Sequence, residues 1–218
     1  MKIGIFGGTF NPIHYGHLRS AEEVRDRFGL DKILFIPAGS PPLKTEDIAE
    51  TLHRQEMLRL AVADNKFFEL SDIECRLPGK SYTVNTIEQL KEANPDAKFF
   101  FILGIDAFID IPNWWQPGIL ITLTDFIIIS RPEFRFIDLK KSPYLRIQVD
   151  TLEALDNSVA EAYITKLQGD RDAILFKQTN VGISSTEIRR LIKHDRSIKY
   201  LLPPEVQSYI ITNKLYRS

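Results

Sequence analysis

"KIGIFGGTFNPIHYGHL", residues 2–18, runs a short apolar segment into two glycines, a proline and two histidines. KIGIF (2–6) reads as a buried strand. Gly7 and Gly8 end it; they accept unusual backbone angles and carry no Cβ to block a ligand. A helix begins near Gly16–His17, where unbonded amides and the helix dipole favour an anion. His14 then falls in the turn and His17 in the first helical turn, so both imidazoles can face one phosphate chain. A capping pair is the plainer alternative. Two histidines do not complete a zinc site, because no Cys or acidic residue stands nearby at regular spacing. A dehydrogenase-type dinucleotide loop is disfavoured too, since GIFGGTF lacks the G-x-G-x-x-G spacing.

Outward from this stretch, strand and helix patterns alternate. HLRSAEEVRDRFG (17–29) puts Leu18, Ala21, Val24 and Phe28 on one face and stops at Gly29. KILFIPA (32–38) reads as a strand. TLHRQEMLRLAVAD (51–64) reads as a helix with Leu52, Met57, Leu60 and Ala61 at core spacing. FFELSDIE (67–74) alternates as a strand, and TVNTIEQLKEAN (83–94) is a helix followed by Pro95. KFFFILG (98–104) and DFIIIS (125–130) are continuously apolar, as strands covered on both faces are. Beyond Pro132 the pattern weakens: 151–168 reads as helix, AILFKQ (173–178) as strand, and 184–195 and 203–216 as helices. Residues 132–180 carry no motif. The order predicts an α/β fold, a Rossmann-like doubly wound, mostly parallel sheet with helices on both faces and the C-terminal helices on its edge. No linker or repeat interrupts 1–218, so one domain is expected.

Composition narrows the function. The chain has 218 residues, and Lys+Arg 28 against Asp+Glu 29 gives a net charge of −1. Near-neutrality speaks against nucleic acid as a partner while leaving room for a local cationic pocket. The single cysteine, Cys75, excludes an intramolecular disulfide and a four-cysteine zinc site, and fits a reducing cytoplasm. MKIGIF is cut short by glycines with no cleavage pattern after it, and the longest apolar runs contain Asp106 and Asp125, so neither a leader nor a membrane span is expected.

Two motifs carry a resemblance. His14-Tyr15-Gly16-His17 resembles the H-x-G-H signature of the nucleotidyltransferase superfamily. GISSTEIRR (182–190) resembles its second signature, I-S-S-T-x-x-R, from Ile183 to Arg189. SPPLK (40–44), SYTVNT (81–86), FILGIDAF (101–108) and NWWQP (113–117) follow in the order found in bacterial nicotinate-nucleotide adenylyltransferases, which the chain resembles over 3–131 and 181–216. That family joins ATP to nicotinate mononucleotide by in-line attack on the α-phosphorus, without a covalent enzyme intermediate, giving nicotinate adenine dinucleotide and pyrophosphate. Such chemistry asks for positioning and charge neutralisation rather than a protein nucleophile.

The resemblance implies roles. His14, His17 and Arg189 are the expected catalytic residues. Gly7, Gly8, Thr9, Phe10, Gly16, Gly104, Asp106, Ile183, Ser184, Ser185 and Thr186 are expected around ATP, with Asp106 on the ribose; as a residue it also suits a helix cap. Lys44, Ser81, Tyr82, Thr83, Trp114, Trp115 and Arg131 are expected around the mononucleotide, with Trp114 stacked on the pyridine ring and the Thr83 and Trp115 amides on the carboxylate. Mg²⁺ is implied as a companion of the ATP phosphates, with no protein ligand. Partners are these small molecules, and a homo-oligomer is left open. Competing readings are an adenylyltransferase for nicotinamide mononucleotide or phosphopantetheine, and a nucleotide sensor without turnover.

Overall fold

The apolar runs become strands of one sheet. The computed structural model describes residues 1–40, 48–76 and 79–217. Its strands are β1 (Lys2–Gly8), β2 (Lys32–Pro37), β3 (Phe68–Leu70), β4 (Lys98–Gly104), β5 (Asp125–Ile129), β6 (Ala162–Lys166) and β7 (Asp172–Phe176). Between and after them run α1 (Tyr15–Phe28), α2 (Thr51–Val62), α3 (Ile73–Arg76), α4 (Thr83–Ala93), α5 (Ile105–Asp110), α6 (Pro117–Leu123), α7 (Val149–Asp156), α8 (Ser185–Lys193) and α9 (Pro204–Thr212).

The strand order is β3-β2-β1-β4-β5-β7-β6. All neighbours pair in parallel except β6, which runs antiparallel to β7. The chain steps outward from β1 through β2 to β3, then returns to the other side of β1 as β4. The order therefore reverses between β1 and β4, and the crevice beyond their carboxyl ends is where open α/β sheets take ligands. Gly8 and Gly104 stand at those two ends.

Successive side chains feed opposite layers, as strand geometry requires. Phe99, Phe101 and Leu103 of β4 pack with Val84, Ile87 and Leu90 of α4 on one face. Phe100 and Ile102 pack on the other face with Ala21 and Val24 of α1, Met57 and Leu58 of α2, Ile188 of α8, and Val206 and Ile210 of α9. The C-terminal helices thus join the α1/α2 layer, with α9 lying against α2. Gly29 closes α1 with φ 59°, the left-handed cap its position predicts.

Three local expectations are corrected. Residues 151–168 are not one helix: α7 stops at Asp156, and Ala162–Lys166 forms the edge strand β6. Its β-branched and aromatic residues, Tyr163, Ile164 and Thr165, suit a strand laddered onto β7. The strand expected over 67–74 holds only at Phe68–Leu70 before turning into α3. Leu52 faces solvent at 74 % exposure, while Arg54 takes an inward position at 1 %.

Gly4 is glycine for packing: a Cβ there would lie 2.6 Å from Ile33 Cδ1 and 2.8 Å from Ile102 Cδ1. Gly4→Ala should lower unfolding free energy by about 1–3 kcal/mol through overpacking, read by urea denaturation; an unchanged midpoint would show that the two isoleucines simply rotate away.

Candidate active site

The glycine-rich turn is shaped by its own aromatic ring. Phe10 takes φ 47°, a left-handed conformation rare for a bulky residue, and its ring is buried. A Cβ on Gly8 would sit 3.1 Å from that ring, so glycine there lets Phe10 fold under the turn. The Phe10 ring in turn meets His17 edge-on, with centroids 5.2 Å apart. His14 is the N-cap residue of α1, and its carbonyl accepts from the His17 amide at 3.0 Å. The two imidazoles lie face to face, centroids 3.7 Å apart and tilted by 32°. Gly16 permits this, since a Cβ there would lie 2.9 Å from His14 Nδ1. Gly7 would accept a Cβ against Phe101 at ordinary contact, 3.7 Å, so packing does not demand glycine at that position.

The second motif meets the first. Ser184 caps α8, its hydroxyl accepting from the Glu187 amide at 3.1 Å. Ser185 Oγ donates to the Pro12 carbonyl at 2.8 Å, and Arg189 Nη1 donates to the Asn11 carbonyl at 2.9 Å. The Ile183 carbonyl lies 3.4 Å from where a Cβ on Gly16 would stand. Two stretches far apart in sequence therefore form one surface, and Thr186 follows in the first turn of α8. The Asn11 side chain is held as well: Oδ1 accepts from the Ala49 amide at 3.0 Å and from the Tyr216 hydroxyl at 2.8 Å. The Asn11–Pro12 peptide bond is cis.

A third group comes from β4 and β5. Gly104 precedes α5, and a Cβ there would collide with Asp106 Oδ1 and with Arg131 Nε at 2.5 Å. Asp106 does not cap α5, whose cap position is Gly104; its carboxylate instead faces Arg131, with Nε and Oδ1 3.6 Å apart. Arg131 also stands close enough to disfavour a charge on His14. Burial first, and that guanidinium second, push the His14 imidazole down to about 3, so it is neutral at physiological pH. Arg131 thus belongs with the glycine-turn histidines and Asp106.

Beside these lie the residues expected at the mononucleotide. Trp114 is half-buried, packs edge-on against Phe101 and donates Nε1–H to Asp110 Oδ2 at 3.0 Å. Trp115 is 54 % exposed, and its ring rests at 32° to Tyr82 with centroids 5.3 Å apart. Thr83 opens α4, whose first turn has no side-chain cap, leaving amides for an anion. Ser81 acts as an anchor: its Oγ accepts from the Gly39 and Ser40 amides at 3.0 and 3.3 Å. Behind it, burial raises the Glu74 carboxyl, which accepts from Thr86 Oγ1 at 2.8 Å. Cys75 donates its thiol to the Pro37 carbonyl, and burial pushes it up, the opposite of an activated nucleophile. Lys44 lies outside the described residues.

Sequence reasoning missed Arg54 and Tyr216 as site supports. Arg54 was detectable only as a basic residue on the inward stripe of α2, and Tyr216 not at all.

The chain matches the cytidylyltransferase-like family model over residues 5–191. It is 43% identical to a probable nicotinate-nucleotide adenylyltransferase of Geotalea daltonii, across 99% of this chain and 98% of the relative. The chain belongs to the nicotinate-nucleotide adenylyltransferase family. A second relative in this family, of the same name from Geobacter sulfurreducens, is 42% identical across 99% of this chain and 98% of its own length. Among solved structures, the fold matches Plasmodium falciparum nicotinic acid mononucleotide adenylyltransferase complexed with NaAD, with a TM-score of 0.75 and 24% identity, covering 99% of this chain and 97% of that one.

The buried imidazole has a consequence for stability. His14 releases its proton on folding, so its contribution is complete above about pH 6.5, the unfolded value, and is lost as pH falls toward about 3. Between pH 7.5 and 5 the wild-type chain should lose about 2 kcal/mol that His14→Asn retains, measured by urea denaturation at both pH values. Equal losses in the two proteins would show that the histidine titrates normally.

Proposed function

We propose that the chain transfers the adenylyl group of ATP to nicotinate mononucleotide, forming nicotinate adenine dinucleotide and releasing pyrophosphate. A phosphate oxygen of the mononucleotide attacks the α-phosphorus. The bond from that phosphorus to the bridging oxygen breaks, and its electron pair leaves on pyrophosphate. Residues 1–218 act in this proposal as one nucleotidyltransferase domain.

The observation that carries the proposal is the convergence of the stacked His14–His17 pair with Arg131 on one side and α8 on the other. The α- and β-phosphates lie over the turn Gly7–Phe10 and Gly16, with His14 and His17 as hydrogen-bonding groups. His14 works as a neutral imidazole; Arg131 and Arg189 supply the positive charge. Ile183, Ser184, Ser185 and Thr186 border the β- and γ-phosphates. Gly104 gives the ribose close access to the backbone, and Asp106 accepts from its hydroxyls. Arg131 stands where attacking phosphate and α-phosphate meet. The pyridine ring lies by Trp114, with Tyr82 and Trp115 enclosing it and the Thr83 and Trp115 amides on the carboxylate; Lys44 is proposed at the mononucleotide phosphate. Magnesium would come bound to the ATP phosphates and would offset part of their charge.

The uncapped α4 terminus favours an acid over a neutral amide, because donating amides find no acceptor in an NH₂ group. Pyrophosphate release should be more than about a hundredfold faster, as kcat/KM, with nicotinate than with nicotinamide mononucleotide. Comparable rates would point to a dual-specificity enzyme, and binding without release to a sensor. His17→Ala should lower kcat about 10²–10³-fold while the protein melts normally; near-normal turnover would reduce the histidine to a structural part.

A further inference from the structure

Arg54 projects from α2 into the protein at 1 % exposure, yet it lies on neither motif. Its guanidinium makes four hydrogen bonds. Nη1 donates to the Thr9 carbonyl at 3.0 Å, and Nε to the Ala49 carbonyl at 3.0 Å. Nη2 donates to the Gly39 carbonyl at 3.2 Å and to Thr51 Oγ1 at 3.0 Å. Thr51 Oγ1 passes the contact on, donating to the same Gly39 carbonyl at 2.9 Å. Gly39 packs closely against the backbone of α3, where a Cβ on it would collide with the Glu74 carbonyl. From Gly39 the connection continues through its amide to Ser81 Oγ at 3.0 Å, one residue before Tyr82 and two before the start of α4. One buried side chain therefore joins the phosphate turn at Thr9 to the helix terminus proposed for the pyridine carboxylate.

We propose that Arg54 is a positioning residue that fixes the distance between the two halves of the active site. This rests on the reading of the site given above. Through Thr9 it holds the turn that presents the α-phosphorus; through Gly39 and Ser81 it holds the wall against which the attacking mononucleotide is oriented. A planar fork with five donors bonds several carbonyls at once in fixed directions, which a lysine ammonium does not reproduce. In-line transfer is sensitive to that distance: a displacement of about 1 Å can cost about a hundredfold in rate while each substrate still binds. Loss of the fork should therefore appear in kcat and leave each KM nearly unchanged.

The test compares Arg54→Lys with the wild-type protein in three measurements: melting temperature, steady-state kinetics well below melting, and amide hydrogen exchange without substrates. The lysine variant should stay folded and lose about ten- to a hundredfold in kcat, with both KM values within about threefold. Exchange should speed up together in peptides covering 9–11, 38–40 and 81–83. Ser81→Ala, which cuts the same connection further along, should show a smaller loss of the same kind and decides the matter if Arg54→Lys does not fold. A folded Arg54→Lys with wild-type kcat overturns the proposal, as does unchanged exchange at either end. Should the wild-type protein form no product from ATP and nicotinate mononucleotide, the substrate reading fails, while the exchange comparison still judges Arg54.

Discussion

Two hydrogen bonds reach across the chain to hold the carbonyls of Asn11 and Pro12. They come from Arg189 and Ser185 on α8, the helix of the second motif. They brace the segment between β1 and α1, where Phe10 sits at a positive φ that costs of order 1–3 kcal/mol on its own. The Phe10 ring packed under Gly8, the Asn11 side chain bonded to Ala49 and Tyr216, and the helix bonds from α8 together over-determine that conformation. Strain is tolerated where several independent contacts converge, and here they converge on the turn that presents the histidines.

The electrostatics follow from the same geometry. Two imidazoles with ring centroids 3.7 Å apart cannot both carry a charge cheaply; at an effective dielectric near 20 the repulsion is about 4 kcal/mol. Burial and Arg131 keep His14 neutral. The neutral His14 thus stands beside a fixed guanidinium, that of Arg131.

Much of this was readable in the amino-acid order. The continuous apolar runs 98–104 and 125–130 announced strands covered on both faces, and the glycines at 8 and 104 marked the ends that face the crevice. The helix expected over 184–195 is present, with Ser184 as its cap. The residues that escaped reading share a cause. Arg54 points inward from a helix whose hydrophobic stripe suggested Leu52 instead, because burying a guanidinium is favourable only where carbonyls from three segments gather around it. For Ser81, expected at the mononucleotide, local sequence gave no sign that its hydroxyl also accepts from backbone amides at the β2 exit. Residues 162–166 read as helix because an edge strand with one exposed face lacks the apolar continuity of its central neighbours. Long-range partnership is not written in local periodicity.

The hydroxyl of Tyr216 bonds to the Asn11 side chain across a separation of 205 residues. A ribosome adding about 5–20 residues per second needs roughly 10–40 seconds to cover that interval. During that time the glycine-rich turn has emerged without the phenol, and for most of it without α8. The Asn11 side chain therefore gains its phenol partner only long after the turn that carries it has been made.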